Sequence, residues 1–144
     1  MTGLILMADD DRDDCMLTAR ALKKGRVLNP FVTVDDGEKL LDYLFRRGEY
    51  SNPEDSPRPV LILLDLNMPK MKGLDALDII KADPDLRKIP IVVLTTSNQE
   101  EDILQSYDKL ISGYIVKPVT LDGLIEAMTV LGHYWFNLVE LPPS

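Results

Sequence analysis

Apolar residues fall in short runs that end on acid, hydroxyl or lysine, and most runs give way to a helical spacing. Leu4-Ile5-Leu6-Met7-Ala8 runs into Asp9-Asp10-Asp11. Cys15, Leu17, Ala21 and Leu22 then recur at helical intervals up to Gly25, with Asp10 or Asp11 in the capping position. Phe31-Val32-Thr33-Val34 reads as a short strand. Asp35-Asp36-Gly37-Glu38 resembles a capping box, and Leu40, Leu41, Leu44 and Phe45 form the apolar face of the helix it starts. Gly48 to Pro59 is polar, holds three prolines and reads as an exposed loop.

Val60-Leu61-Ile62-Leu63-Leu64 is a continuous apolar run between Pro59 and Pro69, the pattern of a strand buried on both faces. It ends on Asp65-Leu66-Asn67-Met68. Leu74, Leu77, Ile79 and Ile80 mark a helix that stops before Pro84. Ile89-Pro90-Ile91-Val92-Val93-Leu94 is a fourth strand, ending on Thr95-Thr96-Ser97. Ser97-Asn98-Gln99-Glu100 would cap a short polar helix carrying Ile103 and Leu104. Tyr114-Ile115-Val116 is a fifth strand that ends at Lys117-Pro118. Thr120 caps a last helix with Leu121, Leu124, Ile125, Met128, Leu131 and Trp135 on its apolar side. A strand and a helix repeated five times call for an α/β fold, a parallel sheet covered on both faces. No repeat or domain boundary interrupts residues 1–144.

All parallel strands point the same way, so their exits share one end of the sheet, where α/β folds bind ligands. Asp9 and Asp10 leave strand one there, Asp65 strand three, Thr95 strand four and Lys117 strand five. Two carboxylates about 4 Å apart repel by several kcal/mol at a dielectric near 20. A hard divalent cation relieves that repulsion, and Mg²⁺ suits carboxylate and water oxygens. A lysine and a threonine beside it complement a phosphoryl group. An aspartate can itself be the phosphoryl acceptor.

Composition narrows the choices. The chain has 144 residues, enough for one domain with a sizeable core. Its 24 acidic and 16 basic residues give a net charge of −8, which disfavours nucleic acid as a partner and suits a cation or a basic protein. One cysteine, Cys15, allows no internal disulfide and reads as a helix-packing residue. The single histidine, His133, lacks a second ligand beside it and reads as structural. The N-terminus shows no secretory signal and no apolar run approaches 18 residues, so a cytoplasmic chain without a membrane span is expected.

The segments LILMADDD, VLILLDLNMPKMKG, IVVLTTS and YIVKPV resemble the receiver domain of two-component response regulators, the CheY-like family, over nearly the whole chain. The resemblance implies a doubly wound (βα)5 flavodoxin-like sheet of strand order 2-1-3-4-5. It implies Asp65 as phosphoacceptor, with Mg²⁺ held by Asp10, Asp65 and the Asn67 backbone carbonyl, and Asp9 acting through metal-bound water. It also implies that Lys117 pairs with a phosphoryl oxygen, that Thr95 bonds another, and that Tyr114 changes rotamer with it. Asn67 and Ser97 would flank the path of hydrolysis. Thr96 departs from the Ala or Gly frequent at its place, which bears on the lifetime of the phosphoryl group.

The LDYL segment, the long loop after it, TTS and the Trp135 tail are similar to single-domain regulators paired with phytochromes. The resemblance therefore implies a histidine kinase as partner, a phytochrome among the candidates. It also implies an extended last helix and tail from about residue 120, with no output domain after it. Readout would pass to a partner protein, through a phosphate relay, or to a homodimer built on the fourth helix, fifth strand and fifth helix or on the tail. Three rivals compete with this reading. A Mg²⁺-dependent phosphatase would use Asp9 as nucleophile, a flavodoxin-like carrier would need a hydroxyl-rich first turn, and a pseudo-receiver adaptor would not need a complete site.

Overall fold

The structure, a computed structural model, describes residues 3–24, 27, 29–95, 113–117, 120 and 122–123. Within them lie five strands, β1 (Leu4–Ala8), β2 (Phe31–Val34), β3 (Pro59–Asp65), β4 (Ile91–Thr95) and β5 (Gly113–Val116). Three helices join them, α1 (Arg12–Lys24), α2 (Gly37–Phe45) and α3 (Gly73–Ala82). The sheet is parallel in the order β2-β1-β3-β4-β5, as the resemblance implied. The helices expected after β4 and β5, with Ser97 and the Trp135 tail, lie outside the described residues.

Side-chain alternation along the central strands divides the core into two layers. Leu4, Leu6 and Ala8 of β1 join Ile62 and Leu64 of β3 beneath α2 and α3. Ile5 and Met7 join Leu61, Leu63, Val92, Leu94 and Ile115 beneath α1, with Leu22 and the half-buried Cys15. The unbroken apolar run of β3 follows from this double cover, because neither of its faces meets water.

Several local expectations shift by a residue or two. On α1 the buried stripe is Thr18 and Leu22, while Leu17 is 43% exposed. Thr18 is tolerated there because its hydroxyl donates to the Asp14 carbonyl at 2.9 Å, back along the helix. Asp36 caps α2 by accepting from Lys39 N at 2.7 Å, so the reciprocal Glu of a capping box is absent and Asp35 pairs with Lys39 instead. Ile79 faces outward at 40% exposure, and α3 buries Ala76, Leu77 and Ile80. Strand β4 begins at Ile91 rather than Ile89, since Lys88 and Ile89 N–H groups close a short 3-10 turn.

The stretch before β3 is largely exposed, as expected, yet it is ordered. It forms two 3-10 turns, Gly48–Tyr50 and Pro53–Asp55. Ser56 is fully buried and donates to the Tyr50 carbonyl at 3.0 Å. Tyr43 hydroxyl donates to the Pro57 carbonyl at 2.7 Å, its ring meets Tyr50 edge-on, and Arg58 donates to the Leu44 carbonyl. Aromatic and hydroxyl positions 43, 50 and 56 thus replace the missing regular element.

The turn after β3 is held by a close approach. Gly73 N donates to the Leu66 carbonyl at 3.0 Å, and a Cβ on Gly73 would run into the Asp65 carbonyl oxygen and lie 2.7 Å from Leu66 Cα. Gly73→Ala is therefore expected to destabilise the chain by about 1–3 kcal/mol, because backbone rather than a flexible side chain has to give way. A urea denaturation midpoint equal to that of the wild type would contradict this.

Candidate functional site

Three consecutive acids at the end of β1 take three different tasks. Asp9 still belongs to the sheet, its N–H donating to the Val34 carbonyl at 3.0 Å. Its Oδ1 accepts from Asp11 N at 2.9 Å and folds the chain away from the strand. Asp11 is the cap of α1, accepting from Asp13 N at 2.9 Å and Asp14 N at 3.3 Å. That leaves Asp10 exposed and free of capping duty.

Asp65, the last residue of β3, is buried at the same end of the sheet, and its Oδ1 accepts from Asn67 N at 3.1 Å. One carboxylate oxygen from each of Asp9, Asp10 and Asp65 lies within 4.8 Å of the other two. Lys117, just past β5, reaches into this cluster. Its Nζ is 2.9 Å from Asp9 Oδ2, 3.2 Å from Asp65 Oδ2 and 2.7 Å from Asp14 Oδ2. The strands' alternation explains the convergence, since residues 9, 65 and 117 continue the rows of Ile5 and Met7, of Leu61 and Leu63, and of Ile115, all on the α1 face.

Electrostatics follow from that crowding. Burial pushes the Asp65 carboxyl up to about 6, and the nearby Asp9 charge adds to it against the opposing Asn67 N–H and Lys117. Burial alone would lower Lys117, but the hydrogen bond to Asp14 and the nearby charges of Asp9 and Asp65 outweigh it and hold the ammonium above its usual range. Burial, then Asp9 and Asp14, raise the Cys15 thiol to about 11, so it stays protonated and packs as expected.

The donor set fits a divalent cation. Asp9 Oδ2 is enclosed, and although it lies near Lys117 Nζ the approach falls outside hydrogen-bond geometry, so this buried oxygen has charge compensation but no directed donor. A buried acceptor short of a donor beside two further carboxylates suits a hard cation. A groove of about 430 Å³, lined by Asp9, Asp10, Arg12, Met16, Asp35 and Tyr50 among others, borders the cluster on the side of its two β1-end acids.

The expected residues Asp9, Asp10, Asp65 and Lys117 thus come together, with the Asn67 backbone adjoining Asp65. Thr95 ends β4 and pairs in register with Val116, two residues after Tyr114. The side chains of Thr95 and Tyr114, and all of Thr96, lie outside the described residues. Asp14 joins the cluster without having been expected there. Its signal was position, since 14, 18 and 22 share the helix face that Thr18 and Leu22 bury, and a charge on a buried stripe asks for a partner.

Comparison with known proteins gives this geometry a family. The response regulator receiver domain model matches residues 5–129, and the chain belongs to that family. Response regulator Rcp1 of Synechocystis sp. (strain ATCC 27184 / PCC 6803 / Kazusa) is 39% identical over 141 residues, covering 98% of this chain and 94% of that protein. A Mn²⁺-bound form of response regulator Rcp1 superposes with a TM-score of 0.74 at 38% identity, over 98% of this chain and 99% of the other. The bacteriophytochrome response regulator RtBRR gives 0.86 at 39% identity, over 99% and 86%. The phosphorylated cyanobacterial phytochrome response regulator RcpA gives 0.76 at 40% identity, over 99% and 100%. The chain is accordingly a two-component phosphorelay regulator with a receiver fold, and its acid cluster is of the divalent-metal type. No helix among the described residues is long and apolar enough to cross a membrane.

The raised Asp65 carboxyl makes a pH prediction for the chain in EDTA. The folded form keeps a proton up to about pH 6 that the unfolded form loses near 3.8, so stability falls as pH rises through that window. Asp65→Asn removes the penalty. It is expected to exceed the wild type in stability by about 1–2 kcal/mol at pH 7.5, with the gap closing by about pH 4. Thermal melts at the two pH values test this, and a gap independent of pH would refute it.

Proposed function

We propose that Asp65 accepts a phosphoryl group from a phosphohistidine of a sensor kinase of the phytochrome type. The observation that carries this is a strand-end carboxylate held between the Asn67 N–H and the Lys117 ammonium, with two further acids at its side. An Asp65 oxygen forms the new O–P bond as the P–N bond breaks and its electron pair returns to the imidazole. Lys117 exchanges its contact with Asp65 for a phosphoryl oxygen and neutralises part of its charge. Asp10, Asp65 and the Asn67 carbonyl would hold Mg²⁺, with Asp9 acting through water, and the ion when bound would supply further neutralisation of phosphoryl charge. Asn67 and Ser97 flank the path of the water that later hydrolyses the acyl phosphate. The chain so promotes its own phosphorylation and dephosphorylation without being an enzyme for a separate substrate.

Residues 1–144 act as one receiver with an extended last helix and tail, in the cytoplasm. Thr95 bonds the phosphoryl group and Tyr114 follows it, altering the face made by the fourth helix, β5 and the last helix. That face, or the tail, receives a partner protein or a second copy of the chain. The likeness to Rcp1, RtBRR and RcpA supports the phytochrome kinase as the source of the signal.

Two experiments test the reading. Acetyl phosphate with Mg²⁺ is expected to add one phosphoryl group to the wild type, seen by intact-protein mass, and none to Asp65→Asn; equal labelling of both would end the assignment. In a pairwise panel of histidine kinases, phytochrome kinases are expected to transfer at least about tenfold faster than the others. Equal rates across the panel would exclude the phytochrome pairing.

A further inference from the structure

Lys117 makes its shortest ion pair with none of the residues the function requires. Its Nζ lies 2.7 Å from Asp14 Oδ2, in hydrogen-bond geometry, against 2.9 Å to Asp9 and 3.2 Å to Asp65. Asp14 stands on the first turn of α1, beyond the capping residue Asp11, and is 19% exposed while Asp9 and Asp65 are enclosed. The ammonium is thus shared between α1 and the two strand-end carboxylates. This matters because ammonium and cation want the same oxygens. Asp9 Oδ2 and Asp65 Oδ2 are both in reach of Nζ, and both residues contribute to the trio that could hold a metal. Without the Asp14 carboxylate the ammonium would have only these two partners, and a cation could displace it only by leaving its charge buried and unpaired.

We propose that Asp14 is a positioning residue: it gives the Lys117 ammonium a third carboxylate, on α1, so that a divalent cation can displace the ammonium from Asp9 and Asp65 without leaving it unpaired. This rests on the reading of the cluster as a Mg²⁺ site. Asp14 contacts neither the cation nor the phosphoryl group and acts only through Lys117. A second consequence concerns phosphorylation. A lysine held from the side can leave Asp65 for a phosphoryl oxygen without leaving its anchor, so less order is lost and regained in each cycle.

Mg²⁺ binding to the full chain, read by isothermal titration calorimetry, tests this role. Four proteins form a cycle: wild type, Asp14→Asn, Lys117→Met and the double variant. Asp14→Asn is expected to weaken Mg²⁺ binding about tenfold when Lys117 is present. In the Lys117→Met background the same change is expected to alter binding less than about twofold, the loss of one remote charge. Asp13→Asn removes an equal charge from the same turn, and it too should change binding less than about twofold. Asp14→Glu, which keeps a carboxylate within reach of Nζ, is expected to recover most of the affinity. Labelling by acetyl phosphate should follow, with Asp14→Asn slow at low Mg²⁺ and recovering at saturating Mg²⁺. Unaltered Mg²⁺ affinity in Asp14→Asn overturns the proposal, as does an equal loss with and without Lys117, which would mark a general charge effect. Asp14→Asn leaves the cap at Asp11 in place; should it fail to fold, Asp14→Glu against Asp14→Gln in the two Lys117 backgrounds decides the same question. No binding by the wild type itself would instead bring down the Mg²⁺ reading.

Discussion

One ammonium compensating a crowd of buried carboxylates is the interaction on which this molecule turns. Asp9 and Asp65 have been taken out of water at the ends of adjacent strands, and neither could stay charged there alone at small cost. Lys117 makes the arrangement tenable, yet it satisfies it incompletely: Asp9 Oδ2 has no directed donor and the Asp65 carboxyl titrates high. A site left short of positive charge is one that can gain from a cation and from a change in what the lysine holds. Full satisfaction would give a stable, inert salt cluster.

The scaffold explains why such strain is sustainable. β3 is sandwiched between two apolar layers, and its neighbours β1 and β4 have most of their side chains enclosed as well. Burial on that scale fixes the strand register, because a slip of one residue would exchange the two layers and turn Asp65 from the α1 face to the α2–α3 face. The turn that follows is locked by the close approach of Gly73 to Asp65 and Leu66. Asp65 thus occupies a position set by a large hydrophobic free energy and only perturbed by its own unfavourable electrostatics.

Much of this was legible in the chain, and the residues show why. Strand-length apolar runs ending on Asp9, Asp65 and Lys117 state both the elements and their shared end of the sheet, since parallel strands leave no other arrangement. The errors cluster where one amino-acid type can serve two purposes. Leu17 and Ile79 fit an apolar period but sit at its margin, and only neighbouring elements decide that Thr18 and Ala76 are nearer the sheet. Asp35 and Asp36 are equivalent caps on paper, and the pairing of Asp35 with Lys39 separates them. The stretch from Gly48 to Pro59 is largely exposed as read, but its two turns were not legible because its order rests on Tyr43, Tyr50 and Ser56, partners scattered across 14 residues. Asp14 was hidden among four neighbouring aspartates, and its lysine is 103 positions away.

The lengths of the strands carry one more implication. The two outermost, β2 and β5, span four residues each, against seven for β3 at the centre. A border that short offers few free backbone groups to a foreign strand, so templated growth from one molecule to the next finds little to build on. A chain carrying −8 charges adds mutual repulsion to that protection.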